Sequence, residues 1–295
     1  MTSRLACGPM AANAISDESV GTTTLGDLTV RRLGYGAMRI TGDGIWGPPE
    51  DHDESIAVLR RAVELGVNLI DTADSYGPYV SEQLIAEALH PYPDGLVIAT
   101  KGGLTRTGPN EWPREGRPEH LREACEGSLE RLRLDSIDLY QLHAPDPKVP
   151  YEESVGTMKE LQSEGKIRNI GVSNVSVAEL ATARGIVDVV SVQNRFNLGD
   201  RHSAGVLEVC QADGLAFIPW FPLNAGALAE PGGTAAEIAE RHGATPAQVA
   251  LAWLLQTPAT LPIPGTGSVA HLEENLAAAQ LALSDEEMAQ LSDAA

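Results

Sequence analysis

Asn68-Leu69-Ile70-Asp71-Thr72-Ala73-Asp74-Ser75-Tyr76-Gly77 opens as a short apolar run, delivers a carboxylate, and five residues later presents a tyrosine beside a glycine. The residues before it carry Ile56, Leu59, Val63 and Leu65 at helical spacing and stop at Gly66, so a helix feeds a buried strand. Two apolar runs downstream end in the same manner. Leu96-Val97-Ile98-Ala99-Thr100 runs into Lys101, and Ile137-Asp138-Leu139-Tyr140-Gln141-Leu142 runs into His143. An acid, a phenol, an ammonium and an imidazole therefore stand at the ends of three consecutive expected strands.

The pattern extends in both directions. Residues 1–21 read as a flexible tail, small and polar without period. Residues 22–30 alternate around Gly26-Asp27 as a β-hairpin, and 33–38 read as a first strand followed by a glycine-rich loop over 41–49. Helices are expected over 55–66, 80–89, 118–134, 151–164, 177–184 and 204–212. A helical pair follows over 235–242 and 246–256, then a helix over 269–279. Between them lie strands over 67–71, 96–100, 137–142, 166–172, 189–193, 215–220 and 260–263, and Ser284-Asp285-Glu286-Glu287 starts a tail helix as a capping box. Strict alternation of strand and helix implies parallel pairing. Eight such units in 295 residues fit an α/β fold of the (β/α)8 TIM-barrel type, with an N-terminal hairpin, a C-terminal tail helix and one domain over 22–295. An open doubly wound sheet is the alternative. In a barrel the reactive groups gather at the C-terminal ends of the strands, where Asp71, Lys101 and His143 fall.

Composition narrows the class. A formal net charge of −20 argues against binding nucleic acid or an anionic membrane surface. No apolar run approaches the roughly 18–20 residues that span a bilayer. The first ten residues lack the apolar core of a secretory signal, and Cys7, Cys125 and Cys210 are too few and too scattered for a disulfide frame or a metal site. A cytoplasmic protein acting on a small molecule is the expectation.

The four polar groups suit a definite chemistry. An ordinary phenol, with a pKa of about 10, is a poor acid at neutral pH. An ammonium beside it favours the phenolate and is expected to draw that pKa down, so Tyr76 can hand a proton to an oxygen becoming an alkoxide. His143 at the same oxygen adds a hydrogen bond that strengthens as charge develops, and Asp71 holds Lys101 charged and in place. With no nucleophile–base pair and no metal cluster in the sequence, this is machinery for reducing a carbonyl with a borrowed hydride, and nicotinamide is the natural donor.

The motifs resemble those of the aldo-keto reductases over essentially the whole chain after residue 22. They are Asn68-Leu69-Ile70-Asp71-Thr72-Ala73 with Tyr76-Gly77, Lys101, Gly171-Val172-Ser173-Asn174, Gln193-Asn194, Phe221-Pro222-Leu223, and Ile263-Pro264-Gly265-Thr266 leading to Glu274-Asn275. The resemblance implies catalytic roles for Asp71, Tyr76, Lys101 and His143, with Tyr76 as general acid. It implies that Ser173, Asn174 and Gln193 hold the nicotinamide carboxamide and that Trp220 stacks on the ring. Phe221, Pro222 and Leu223 join the same cofactor site. It places Gly265, Thr266, Gly267, Ser268, His271, Glu274 and Asn275 at the adenosine end. That last stretch is a GxGxxA string, but no further strand follows it as a Rossmann unit requires. Glycines at a helix start still suit a phosphate. Many family members carry a lysine and an arginine where this chain has Gly265 and His271, and no Lys or Arg follows Arg241. NADPH is the expected cofactor, with NADH the alternative.

The similarity is strongest to the pyridoxal reductase-like bacterial members, through Arg32-Leu33-Gly34-Tyr35-Gly36-Ala37-Met38 and the Trp46-Gly47-Pro48-Pro49 loop. Reduction of a small aldehyde or ketone, with pyridoxal to pyridoxine as the family-level example, is the function it implies. Trp46, Pro78, Tyr79, Trp112 and Trp220 are the expected pocket walls. Two other readings compete. One is a ketoreductase on a sugar or polyketide intermediate, where Arg39, Arg106, Arg114 and Arg117 would meet a diphosphate. The other is a cofactor-sensing subunit without catalysis.

Overall fold

The computed structural model describes residues 13–223 and 233–294. Seven parallel strands lie side by side in chain order: β3 (Tyr35–Gly36), β4 (Leu69–Asp71), β5 (Val97–Gly102), β6 (Ile137–Leu142), β7 (Ile167–Ser173), β8 (Val189–Arg195) and β9 (Ala216–Trp220). The connecting helices are α2 (His52–Glu64), α3 (Val80–Leu89), α4 (Pro118–Leu132), α5 (Tyr151–Ser163), α6 (Val177–Arg184) and α7 (Ala204–Asp213). After β9 come α8 (Thr234–His242), α9 (Pro246–Gln256), α10 (Val269–Ala277) and the tail helix α11 (Asp285–Asp293). None of the described helices is long and apolar enough to cross a membrane.

The expected eighth strand closes the barrel as an extended segment without a regular ladder. On one side Phe217 N–H donates to Ala259 O and Leu261 N–H to Phe217 O, both at 2.8 Å. On the other, Gly34 N–H reaches Pro262 O at 3.0 Å and Gly36 N–H reaches Pro264 O at 3.5 Å. Prolines at 262 and 264 offer carbonyls but no N–H, so the segment can accept from β3 without answering it. The first strand is also shorter than expected: it ends at Gly36, and two 3-10 turns, Ala37–Ile40 and Asp43–Ile45, carry the chain across the mouth.

Period-2 alternation sorts the strand residues by face. Ile70, Ile98, Tyr140, Ile170, Val192 and Phe217 pack outward under the helices. Leu69, Val97, Ala99, Leu139, Ala216 and Ile218 point inward and form the barrel floor. The hairpin, β1 (Thr22–Leu25) with β2 (Leu28–Arg31), plugs the N-terminal end by setting Leu25 and Val30 into that floor. Each such side chain contributes about 1.5–3 kcal/mol by leaving water. Asp27 at the hairpin turn accepts from Arg168 Nη2 at 2.6 Å and Asn169 Nδ2 at 3.2 Å, at the start of β7. With that end sealed, the opposite mouth is left for chemistry.

One expectation is corrected at the N-terminus. Residues 1–12 lie outside the described residues, but 15–20 are not a loose tail. Ser16 caps a short helix, α1 (Asp17–Val20), Ile15 N–H donates to Leu65 O at 2.8 Å, and Ile15 and Val20 are buried. Two apolar residues suffice to dock this turn on the end of α2, too few to show as a period in the sequence.

Candidate active site

Above the apolar floor, the next inward positions along the strands are polar. Asp71 ends β4, Lys101 lies two residues beyond Ala99, Gln141 two beyond Leu139, and His143 follows on the same face. Lys101 stands opposite Gln141, Gln141 opposite Gly171, and Ser173 opposite Gln193 in the ladder. Gly171 is required here. A Cβ at that position would meet Ser191 Oγ at 2.5 Å and Gln141 Cγ at 2.9 Å, so its absence lets the glutamine cross the barrel.

These groups form one connected network. Lys101 Nζ donates to Asp71 Oδ1 at 2.6 Å and to Thr72 O at 2.7 Å, and reaches Tyr76 Oη at 3.5 Å. The other carboxylate oxygen, Asp71 Oδ2, accepts from Gln141 Nε2 at 3.0 Å and Gln193 Nε2 at 2.9 Å. The ion pair is buried, Lys101 at 0% and Asp71 at 2% exposure, and its polar atoms all find protein partners. The His143 ring meets Tyr76 edge-on with centroids 5.9 Å apart, and Trp112 does the same at 6.2 Å.

Burial sets the protonation states. It opposes the Lys101 ammonium, but Asp71 and Tyr76 beside it prevail and hold the lysine above its ordinary range. Burial pushes the Tyr76 phenol up, and the neighbouring Lys101 offsets this only in part. The expectation of a lowered phenol is thereby corrected: in the unliganded fold desolvation outweighs the ammonium. His143 is held well below the usual histidine range, first by burial and then by Lys101, and is a neutral imidazole at physiological pH.

A cavity of about 1060 Å³ opens onto Asp71, Tyr76 and His143. Ser173, Asn174 and Gln193 form one wall, Trp220, Phe221, Pro222 and Leu223 the next, and Gly265 and His271 stand in the wall with Ala247. Asn174 adopts the left-handed conformation that asparagine tolerates (φ 58°). From there its Nδ2 donates to His143 O at 2.9 Å, while its Oδ1 accepts from Trp220 Nε1 at 3.0 Å. Gln193 uses its amide nitrogen on Asp71, and its Oε1 has no hydrogen bond among the described residues.

Several expected residues stand elsewhere. Thr266, Gly267, Ser268, Glu274 and Asn275 do not line the cavity. Thr266 O accepts from Tyr35 Oη at 2.5 Å, Glu274 accepts from Thr245 Oγ1 at 2.8 Å, and Asn275 is buried. At the helix start expected to suit a phosphate, a carboxylate stands instead: Val269 N–H donates to Glu54 Oε1 at 2.8 Å. Of the expected pocket walls, Trp112 and Trp220 face the cavity; Trp46, Pro78 and Tyr79 do not. Trp46 lies against the Arg106 guanidinium at 5.6 Å, and Tyr79, half exposed, against that of Arg131 at 4.3 Å. Both aromatics spend a face on an arginine, a pairing that spacing does not reveal. Wall residues not anticipated include Met38, Ile45, Leu104, Asn110 and Ile263. They sit on or near the ends of the first, third and eighth strands, a location that could have flagged them.

The model of the Aldo/keto reductase family matches residues 32–295. This chain belongs to the aldo/keto reductase family. It is an NAD(P)H-dependent oxidoreductase. An uncharacterized oxidoreductase of Schizosaccharomyces pombe is 50% identical to it over 284 residues, 96% of this chain and 92% of the relative. Pyridoxine 4-dehydrogenase of Escherichia coli is 44% identical over 281 residues, 92% of this chain and 98% of that one. Among solved structures, an aldo/keto reductase from Klebsiella pneumoniae in complex with NADP and acetate is 29% identical. It superposes with a TM-score of 0.78 over 92% of this chain and 94% of the other.

Proposed function

We propose that this reductase converts the carbonyl of a small aldehyde or ketone to the alcohol with NADPH, that Tyr76 is the proton donor, and that pyridoxal is the first substrate to try. The observation that carries this is the enclosed Asp71–Lys101–Tyr76 chain opening, beside His143, onto a cavity large enough for a dinucleotide. The wall suits a nicotinamide, because the unused Gln193 Oε1 can accept from a carboxamide and Trp220 offers a ring face. A bound nicotinamide supplies the hydride to the carbonyl carbon. Tyr76 gives its proton to the oxygen as that oxygen gains charge, and the Lys101 ammonium stabilises the phenolate left behind. Neutral His143 offers a hydrogen bond to the same oxygen without competing to be the acid. The similarity to pyridoxine 4-dehydrogenase favours pyridoxal, and the Klebsiella complex with NADP favours the phosphorylated cofactor.

Three of the four arginines expected to serve a diphosphate-bearing substrate are already engaged, which leaves that reading only Arg39 on the cavity wall. Arg106 is taken up by loop carbonyls, Arg114 by Pro145 O at 2.9 Å and Arg117 by Glu115 at 2.7 Å. A sensing subunit has no need of the assembled proton donor. The test is NADPH consumption against pyridoxal, 4-nitrobenzaldehyde, simple ketones and sugar ketones, with titration of both cofactors. The expected result is aldehyde reduction and at least about tenfold tighter binding of NADPH, roughly 1.4 kcal/mol. Equal affinities overturn the cofactor preference, and a Tyr76→Phe enzyme with full turnover overturns the proton donor.

A further inference from the structure

Arg39 is the one lysine or arginine on the cavity wall among the described residues. Among the described residues it makes no hydrogen bond or ion pair, unlike Arg106, Arg114 and Arg117 around the same mouth. An unpaired guanidinium there matters more in a chain with a net charge of −20, since an anionic ligand otherwise meets a repulsive protein.

The backbone around it explains why the cation comes from this position. A Cβ built on Gly265 would stand 2.6 Å from Gly36 O and 3.8 Å from Arg39 Cγ, and one on Gly267 would stand 2.9 Å from Arg39 O. The strip after the eighth barrel segment therefore runs against the 36–39 turn, backbone on backbone. Neither position can present a side chain of its own without displacing a carbonyl. Thr266 and Ser268 carry no charge, and no Lys or Arg follows Arg241. The first two amides at the start of α10 are engaged: Ser268 N–H by Thr266 Oγ1 at 3.1 Å and Val269 N–H by the Glu54 carboxylate at 2.8 Å. A phosphate placed at that helix start would meet Glu54. A phosphate placed across the strip from it meets Arg39, with His271 on the same cavity wall.

We propose that Arg39 is the phosphate-binding cation of this site, gripping a phosphate of the nicotinamide dinucleotide through its planar fork of N–H donors. The inference rests on the cofactor reading above. Because the side chain is exposed, its grip is screened by salt.

The test measures dissociation constants of NADP+ and NAD+ by fluorescence titration of the full chain at low and high salt, for the wild type, Arg39→Gln and Arg39→Lys. Thermal melts of each confirm that it is folded. The expected result is NADP+ binding weakened about tenfold in Arg39→Gln and only partly restored in Arg39→Lys, which returns the charge without the fork, with a flatter salt dependence in the glutamine variant. A parallel loss for NAD+ places the contact on the shared diphosphate; a loss confined to NADP+ places it on the 2′-phosphate, and either supports the proposal. Binding of both cofactors to folded Arg39→Gln within about twofold of the wild type overturns it. A wild-type chain that binds neither cofactor overturns the reading beneath it instead.

Discussion

Gln193 donates its side-chain amide to Asp71 Oδ2 at 2.9 Å, so the wall that faces the cavity is bonded directly to the ion pair behind Tyr76. Gln141 makes the companion bond at 3.0 Å from deeper in the barrel. The two glutamines thus separate two effects. Gln193→Leu is expected to weaken cofactor binding about tenfold as well as to lower kcat, because it removes both the free Oε1 and a carboxylate partner. Gln141→Leu removes the carboxylate partner and the Oε1 that accepts from Gln193 Nε2 at 3.3 Å, but leaves Gln193 Oε1 in the wall, and should lower kcat at nearly unchanged cofactor affinity. Titration and steady-state kinetics of both variants decide this, and an unchanged dissociation constant in Gln193→Leu would count against the assignment.

The Asp71–Lys101 pair makes stability and activity separable. Lys101→Met leaves a buried carboxylate with amide donors but no counter-charge, a change that costs about 3–5 kcal/mol in comparable buried pairs. The double variant Asp71→Leu with Lys101→Met removes both charges and should recover much of that loss in denaturant melts. Turnover should stay lost in both, since the Tyr76 phenolate has no ammonium beside it. Recovery of turnover in the double variant would remove Lys101 from the reaction.

Tyr76→Phe keeps the ring edges against Trp112 and His143 and removes only the hydroxyl. Carbonyl reduction should fall by about 10²–10⁴-fold, the range for loss of a positioned general acid, with NADPH binding retained. Stopped-flow measurement of the hydride step separates this from slowed product release.

The strand ends were legible because alternation is arithmetic: once Leu69 and Ala99 are buried inward, Asp71 and Lys101 must follow on the same face. The eighth strand was legible in place but not in form, since Pro262 and Pro264 remove its donors while keeping its path. Other features depend on quantities that spacing does not carry. The raised Tyr76 phenol reflects how deeply the fold encloses it, and the Glu54 carboxylate at the start of α10 comes from 215 residues away. Trp46 and Tyr79 misled because an exposed aromatic on a mouth loop looks the same whether it faces a ligand or an arginine.

His143 makes acid stability a test of its burial. Its folded pKa lies well below the ordinary value of 6.5, so the unfolded chain binds the proton more readily. By linkage, the stability present above that ordinary value is lost as pH falls through it toward the folded pKa. The wild type should therefore lose more melting temperature between about pH 7 and 5 than His143→Gln, whose side chain does not titrate there. Parallel melting curves for the two would show that the imidazole is not held neutral by the fold.

Arg106 ties the barrel mouth together. Its guanidinium donates to Ile45 O at 2.6 Å, Gly44 O at 2.9 Å, Ser75 O at 3.0 Å and Gly108 O at 3.1 Å, and its Nε to Glu111 O at 2.8 Å. It also lies over the Trp112 ring at 3.7 Å, and Trp112 in turn faces Tyr76. Three strand-end loops therefore share one side chain, and the aromatic wall nearest the proton donor rests on it. Lysine has neither the planar face nor the fork to replace it. Arg106→Lys is expected to raise KM for the carbonyl substrate about tenfold or more, by releasing Trp112, while the NADPH dissociation constant changes little. An Arg106→Lys enzyme with wild-type KM would show that the loops hold the wall without it.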